Sequence, residues 1–514
     1  MYALTPEIMR KIDAEQALTK ENGERTLMLS AGLCAVQVIM RKSRGRVASV
    51  LCGAGNNGGD GYVIGKYLSC CGWDVKIFEY APAKKRTPAA EFFRDEAKEA
   101  NCAFYTLNRE TVTEIMCCDV VVDAVFGTGF KGALDGELSE VFEAIKDCGA
   151  LKIAIDCPSG VDPVTAKAEN GAFYADITAC MSYPMRGIYL LPARQYAGKI
   201  EVCRICMDYE DIEKNYVFND IICDEDYIRS VFKPRGMYAN KGTFGRALLI
   251  CGSTEMPGAA RLALSGALRM GAGLCELCAP RDVILSASAA FPEPIYTKAA
   301  EPCDYTDADI DAVIERAKRS TAVLCGCGLG QSDGVKELVR RLLAFTDCPV
   351  VLDADALNVL AGEDWRAEGE VYITPHLMEF SRLTGLSIEE ISADKYEIAK
   401  RFAGEHNVTL VLKGADTVIC SPDGKAAINP TGNGGLAKGG SGDVLAGMLA
   451  GILAFHRGFE APVCAAYLHG AAGDYLCREY SEYSYLTGEL ARAAGIVLGE
   501  ILNEKSKRAE YKTE

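Results

Sequence analysis

The sequence predicts two successive α/β domains, and three observations carry that prediction. Short apolar runs alternate with helix-patterned stretches through both halves. Glycine-rich turns follow the apolar runs, where open α/β sheets bind ligands. The chain has 514 residues, more than a single hydrophobic core usually organises. From Tyr209 to Asp226 acidic residues crowd and the periodicity fades. That places domains at 1–210 and 230–505, with a linker over 211–229.

In the first half the expected strands are VASVLC, DVKIFEY, DVVVDAV, LKIAIDC, ITACMSY and GKIEVCRI. Runs such as VVV and IAI are continuously apolar, as parallel strands covered on both faces require. TPAAEFFRDEAKEANC and LSEVFEAIKDCG read as helices between them. In the second half RALLICG, LCELCAP, AVLCGCG, CPVVLDAD, EVYITP, VTLVLKG and DTVICS are the expected strands. A helix over AARLALSGALRMGAG follows the first of these, and NPTGNGGLAKGGSGDVLAG feeds a long helical tract.

Hydrophobic residues make up 49% and charged residues 25%, the balance of an ordinary folded soluble protein. The net charge of −16 excludes the basic face that nucleic-acid binding needs. The opening residues lack the apolar core of a signal peptide, and no run reaches membrane-spanning length. The expected location is the cytoplasm. Twenty-three scattered cysteines then read as free thiols in a reducing compartment. The CxxC spacings Cys203/Cys206 and Cys275/Cys278 lie in strand-like text, where i and i+3 point to opposite faces, so all four are expected as buried structural cysteines. Among four histidines none forms an HExxH pair, which argues against a catalytic zinc.

The turn CGAGNNGGDG satisfies Gly53-x-Gly55-x-x-Gly58 after a strand, and Glu79 ends the next strand, so a Rossmann dinucleotide turn is one reading. A Walker A loop is excluded, because Gly59-Asp60 stands where Lys-Ser/Thr would be. Asn56, Asn57 and Asp60 are not needed by a pyrophosphate turn; they suit hydroxyls or a hard cation. A capped, tight strand–helix turn is the plain structural reading. Two more strand ends deliver an aspartate with small polar groups: Asp123 before Gly127-Thr128-Gly129, and Asp156 before Pro158-Ser159-Gly160.

Together GNNGGDG, DAVFGTG and IDCPSGVD, with LTPEIMRKID and LMLSAG upstream, resemble the NAD(P)H-hydrate epimerase family over about residues 1–210. The resemblance implies a Rossmann-like three-layer αβα sandwich that interconverts the R and S epimers of hydrated nicotinamide nucleotides. It implies a substrate site of Asn56, Asn57, Gly58, Gly59 and Asp60 with Gly127, Thr128, Gly129, Phe130, Lys131, Gly132 and Ala133. Asp156 is implied to contact the hydrated ring and move protons, a task that a carboxylate of raised pKa can perform. Asn57, Asp123 and Ser159 are implied to hold a potassium ion. One departure is Met185, where the family usually has a lysine; Arg186 follows it as a source of positive charge.

In the second half Gly439-Gly440-Ser441-Gly442-Asp443 opens a helix, an anion hole for a transferring phosphoryl group with Asp443 placed to take a hydroxyl proton. ANKGTFGRALLICGS, MPGAARLALSGALRMGAGL, CGCGLG, VVLDADALNVL, TPHLMEFSRL, LVLKGADTVI and NPTGNGGLAKGGSGDVLAG occur in one order. They resemble the ADP/ATP-dependent NAD(P)H-hydrate dehydratase family, a ribokinase-like αβα fold. The resemblance implies that Ala259, Gly328, His376 and Asp443 face the hydrated nucleotide. Lys413, Gly414, Ala415, Asp416, Thr417 and Gly442 are implied to contact the phosphate donor, ADP in preference to ATP, with magnesium on its phosphates. Asn240, Cys327 and Met378 depart from the family's usual histidine-containing loop, GPGLG and TPHxGEF.

The expected protein is therefore a bifunctional repair enzyme, cytoplasmic and homo-oligomeric, with hydrated nicotinamide nucleotides and ADP as its small-molecule partners. Two other readings are a small-molecule kinase fused to a Rossmann-type dinucleotide-binding domain, and a non-catalytic first half.

Overall fold

A computed structural model describes residues 1–80, 85–299 and 305–510, with side chains in the last helix described to Asn503. Two compact units divide between Asp220 and Ile221. Short helices Tyr209–Asn215 and Glu225–Val231 lie to either side of that division.

The first unit is built on a seven-stranded sheet. Its strands are β1 (Val47–Cys52), β2 (Asp74–Glu79), β3 (Ala103–Thr106), β4 (Val120–Ala124), β5 (Leu151–Ile155), β6 (Ile177–Met181) and β7 (Lys199–Cys203). They run in the order β3-β2-β1-β4-β5-β6-β7, every pair parallel. Alternate residues explain the continuous apolar runs. Val120, Val122 and Ala124 pack into the core that includes helices Gly23–Lys42 and Asn56–Cys70. Val121 packs on the opposite face with helix Gly136–Ile145. A sheet buried on both sides has no face on which a polar alternation would be favourable.

Because β1 leads to β2 in one direction while β4 leads to β5 in the other, the strand order reverses between β1 and β4. Connections leaving the two strands diverge there and open a crevice at their C-terminal ends. The register Leu51↔Asp123 and Asp123↔Ala154 sets Asp123 beside that crevice.

The second unit contains β8 (Arg246–Ile250), β9 (Leu274–Ala279), β10 (Ile295–Lys298), β11 (Ala322–Cys325), β12 (Val350–Leu352), β13 (Val371–Ile373), β14 (Val408–Leu412), β15 (Val418–Cys420) and β16 (Ala426–Ile428). These run in the order β16-β15-β14-β13-β12-β11-β8-β9-β10. All pairs are parallel from β14 to β10, and β15 and β16 add antiparallel. Helices Pro257–Arg269, Ser441–Leu453 and Glu460–Leu476 bury one face. Here the order reverses between β8 and β11.

Each strand expected from the sequence is present; β3, β10, β16 and the strands Tyr2–Ala3 and Asp220–Ile222 are additional. All five are short, β3 is mostly exposed and β10 half-exposed, so their apolar signal is weak. The cysteine expectation needs one correction. Cys275 and Cys278 are buried in β9, and Cys203 is buried at the end of β7, but Cys206 lies beyond the strand and is exposed. The described cysteines are all free thiols. No helix among the described residues is long and apolar enough to cross a membrane.

Candidate active sites

The glycines of the opening turn are required by backbone approach. A Cβ on Gly53 would lie 2.0 Å from the Val125 carbonyl oxygen, and one on Gly58 would lie 1.9 Å from the Gly53 carbonyl oxygen. This crowding draws the ends of β1 and β4 together and starts helix Asn56–Cys70 directly at the crevice, with Gly55 as an N-cap that carries no side-chain bond. Glu79 does not act as the ribose ligand of a dinucleotide turn. It accepts hydrogen bonds from the Tyr62 hydroxyl at 2.8 Å, from Arg86 at 3.0 Å and from Arg94. Those three partners occupy both of its oxygens.

The aspartates at the strand ends have distinct tasks. Asp123 is fully buried; its Oδ2 accepts from the Ser159 amide and its Oδ1 from the Ser159 hydroxyl, each at 2.7 Å. The Ser159 Oγ in turn accepts from the Phe126 amide at 2.9 Å. Burial pushes Asp123 up to about 6, against the pull of these donors. Asp156 sits at φ +69, a left-handed conformation costly for a side-chain-bearing residue and a marker of functional strain. Its Oδ1 accepts from the Met181 amide at 3.3 Å, and burial pushes it to about 6. A Cβ on Gly127 would stand 3.3 Å from both the Asn57 side chain and Asp156 Oδ2, so Asn57, Gly127 and Asp156 line one space. Both polar atoms of the Asn57 amide are buried without a hydrogen-bond partner. An orphaned buried amide is expensive and points to a ligand.

The sequence reading missed one member of this site. Asp13, on helix Pro6–Leu18, is pushed up to about 7, first by burial and then by repulsion from Asp156. Asp60 is held well above the usual carboxylate range by burial, Asp156 and Asp13. Three carboxyls near one another cannot all ionise. Only the place of Asp13 within LTPEIMRKID hinted at it. Of the other expected residues, Asn56, Gly129, Lys131, Gly132 and Ala133 are exposed, while Phe130 is buried against Phe126. Met185 is 2% exposed in an apolar cluster with Leu4, Met9, Ile12 and Tyr183, where a lysine would bring an unpaired charge. Arg186 pairs with Asp220 at 3.4 Å, so its charge has a protein partner.

In the second unit the helix Ser441–Leu453 begins after Gly440 at φ +89 and has no side-chain cap. The Ser441 amide donates to the Lys438 carbonyl at 3.3 Å, which leaves the amides of Gly442 and Asp443 to bind an anion. Lys413 Nζ lies where a Cβ on Gly442 would meet it at 3.0 Å, and it pairs with Asp353 Oδ1 at 2.9 Å. The Thr374 hydroxyl donates to the same oxygen at 2.7 Å. Asp443 is pushed up to about 6 by burial and by Asp353, and pulled down by Lys413. Asp353 stands one residue beyond β12, as Asp156 stands one beyond β5, and the search for an aspartate at a strand end applied to VVLDAD finds it.

Gly328, at φ +61, packs so that a Cβ would meet that of Ala259 at 2.7 Å, which joins two of the expected substrate contacts. His376 caps helix Leu377–Thr384: its Nδ1 accepts from the Met378 and Glu379 amides, and Glu379 accepts from the His376 amide. That capping box leaves Nε2 as the protonated nitrogen. Met378 is 47% exposed, so its bulk points toward solvent. Within the donor loop the side chain of Lys413 reaches the helix start. The Asp416 carboxylate is buried against Lys395 at 2.6 Å, and Thr417 bonds back to Gly414. Ser441 also bonds His469 at 3.2 Å, a buried imidazole lowered to about 4 and hence neutral.

Comparison with known proteins covers both units. The family model described as NAD(P)H-hydrate dehydratase matches residues 247–494, and that described as YjeF-related protein N-terminus matches residues 24–187. The bifunctional NAD(P)H-hydrate repair enzyme Nnr of Moorella thermoacetica is 34% identical over 522 residues, with 98% of each chain covered. The ADP-dependent (S)-NAD(P)H-hydrate dehydratase of Bacillus subtilis is 40% identical over 268 residues, covering 52% of this chain and 94% of that protein. A solved ribokinase-like superfamily protein of Enterococcus faecalis V583 aligns with a TM-score of 0.50 at 25% identity, covering 56% of this chain and 98% of the other.

Proposed function

This chain belongs to the bifunctional NAD(P)H-hydrate repair enzyme family, and from that premise we propose how its residues divide the work. The first unit interconverts the R and S hydroxyl epimers of the hydrated nicotinamide. The second converts the S epimer back to the reduced nucleotide, with ADP giving AMP and phosphate. The placing of Asp443 and Lys413 at one uncapped helix start carries this reading, because it brings together a base, a cation and an anion hole.

In the dehydratase unit Asp443 takes the proton from the ring hydroxyl as the phosphoryl group arrives. The amides of Gly442 and Asp443, with Lys413, hold the transferring group. Phosphate then leaves with the electron pair of its C–O bond, which hydroxide could not readily do, the neighbouring ring carbon gives up a proton to solvent, and the ring double bond returns. Ala259, Gly328 and His376 form the nicotinamide side of the pocket. Magnesium supplies charge neutralisation on the donor phosphates, and Asp353 Oδ2 is an oxygen suited to it.

In the epimerase unit Asp156 contacts the hydrated ring and exchanges the proton, with the Asn57–Asp60 turn and the Gly127–Ala133 loop around it. The orphaned amide of Asn57, with Asp123 and Ser159, presents the all-oxygen donor set that fits potassium. That ion supplies a fixed positive charge beside the substrate. Free thiols throughout support a reducing, cytoplasmic setting, and a homo-oligomer is the proposed assembly.

The test feeds a mixed R/S hydrate pool with ADP and follows the near-ultraviolet absorbance of the reduced nicotinamide. Complete recovery is expected. Recovery of the S fraction alone would remove the epimerase assignment, and recovery without a phosphate donor would remove the dehydratase assignment.

A further inference from the structure

A thiol joins the two aspartates of the second site. Cys327, fully buried, places its Sγ 3.7 Å from Asp353 Oδ2 and within 4.8 Å of an Asp443 carboxylate oxygen. One ligating atom from each of Cys327, Asp353 and Asp443 lies within 4.8 Å of the others. The two oxygens of Asp353 are divided: Oδ1 is taken by Thr374 and Lys413, while Oδ2 faces the thiol. A second thiol stands beside the first. Cys251 follows directly on β8 and is also fully buried, and its side chain meets that of Cys327. The Gly252 amide donates to the Cys327 carbonyl at 2.8 Å and ties the two strand ends together. This lies at the strand-order reversal between β8 and β11, where the loops part and Asp443 is only half-buried.

Two sulfurs and two carboxylate oxygens are the ligand types of a tetrahedral zinc-class ion, whereas magnesium takes oxygen alone. Bond lengths of such an ion set donor separations of roughly 3.5 Å, so Cys327, Asp353 and Asp443 need closure by about 1 Å, while Cys251, which is not within that 4.8 Å group, must turn further to join them.

We propose that Cys251, Cys327, Asp353 and Asp443 form an inhibitory site for a thiophilic divalent cation of the zinc and cadmium class. Binding forms bonds to two thiolates and two carboxylates and releases both thiol protons to solvent. The bound ion occupies the Asp443 oxygen and prevents it from accepting the substrate proton. The inhibitory consequence, though not the binding, rests on Asp443 being the dehydratase base.

The test titrates the full-length, reduced, chelator-treated protein with cadmium and reads the ultraviolet sulfur-to-cadmium charge-transfer absorbance, with neither nucleotide present. Wild type is compared with Cys327→Ser, Cys327→Ala, Cys251→Ala, and a Cys70→Ser/Cys71→Ser control whose thiols are exposed in the first unit. The expected result is a tight equivalent in wild type and in the control, weakened at least about tenfold in each Cys251 or Cys327 variant. Excess magnesium should not displace it. Zinc should inhibit turnover of wild type, and the Cys251→Ala protein should need at least about tenfold more. A cadmium titration that the Cys251 and Cys327 variants leave unchanged would overturn the site. Tight cadmium binding without zinc inhibition would overturn its inhibitory role. Absence of turnover in the wild-type protein before any metal is added would instead count against the dehydratase reading.

Discussion

Replacing Asp443 with asparagine keeps the shape of the helix start and removes its base. General-base catalysis contributes about 10²–10⁴-fold, or roughly 3–5 kcal/mol of barrier, so kcat for dehydration should fall by that factor. The structure adds a pH dependence to this loss. Burial and Asp353 hold Asp443 at about 6, above the ordinary 3.8. The ionised form is the active one, so activity falls as pH drops through that value. At pH 7 roughly nine-tenths of such a group is ionised and at pH 5 roughly one-tenth, whereas an ordinary aspartate would remain about nine-tenths ionised at pH 5. The kcat/KM for the S hydrate should therefore drop about ninefold between these points. Lys413→Met removes the charge that pulls Asp443 down and should move the acidic limb upward. The assay is initial-rate recovery of reduced nicotinamide from pure S hydrate with saturating ADP. A flat profile from about pH 5 to 7, or an Asp443→Asn protein that keeps more than about a tenth of its activity, would refute the reasoning.

Asp156→Asn should leave the S epimer fully convertible while the R epimer accumulates, resolved by chromatography of the remaining hydrate. Asn57→Ala should abolish the difference between potassium and sodium buffers in R-to-S conversion without changing S-hydrate dehydration, since its orphaned amide lies in the first unit. Gly53→Ala sets a Cβ 2.0 Å from the Val125 carbonyl and should destabilise the first unit by about 1–3 kcal/mol, read as a lowered melting transition. Gly55→Ala, with nothing within 4 Å of its Cβ, is the control that should not change it.

Residues adjacent in the chain were the ones legible without a structure. The alternation of apolar runs and helices identified the two α/β units, because burial on both faces of a parallel sheet demands that pattern. Contiguous turns such as GNNGGDG and GGSGD stood out as candidate sites, because a strand end followed by a helix start places several of its own amides and carboxylates together. What a short edge strand contributes was hidden, as β3 and β10 have little apolar signal to display. Whether an expected loop residue faces the site or the core was also hidden: Asp416 belongs to a buried pair with Lys395, and Arg186 to a pair with Asp220.

The sequence alone determined the order of the units, the glycine turns and the identities of Asp156 and Asp443. Tertiary structure decided which distant groups act on them. Lys413 reaches Asp353 across sixty residues, Cys251 meets Cys327 at a strand-order reversal, and Asp13 approaches Asp156 from the N-terminal helix. The physical reason is that charge, burial and ligand geometry depend on separation in space. Strand order sets that separation, and no local spacing in the chain encodes it.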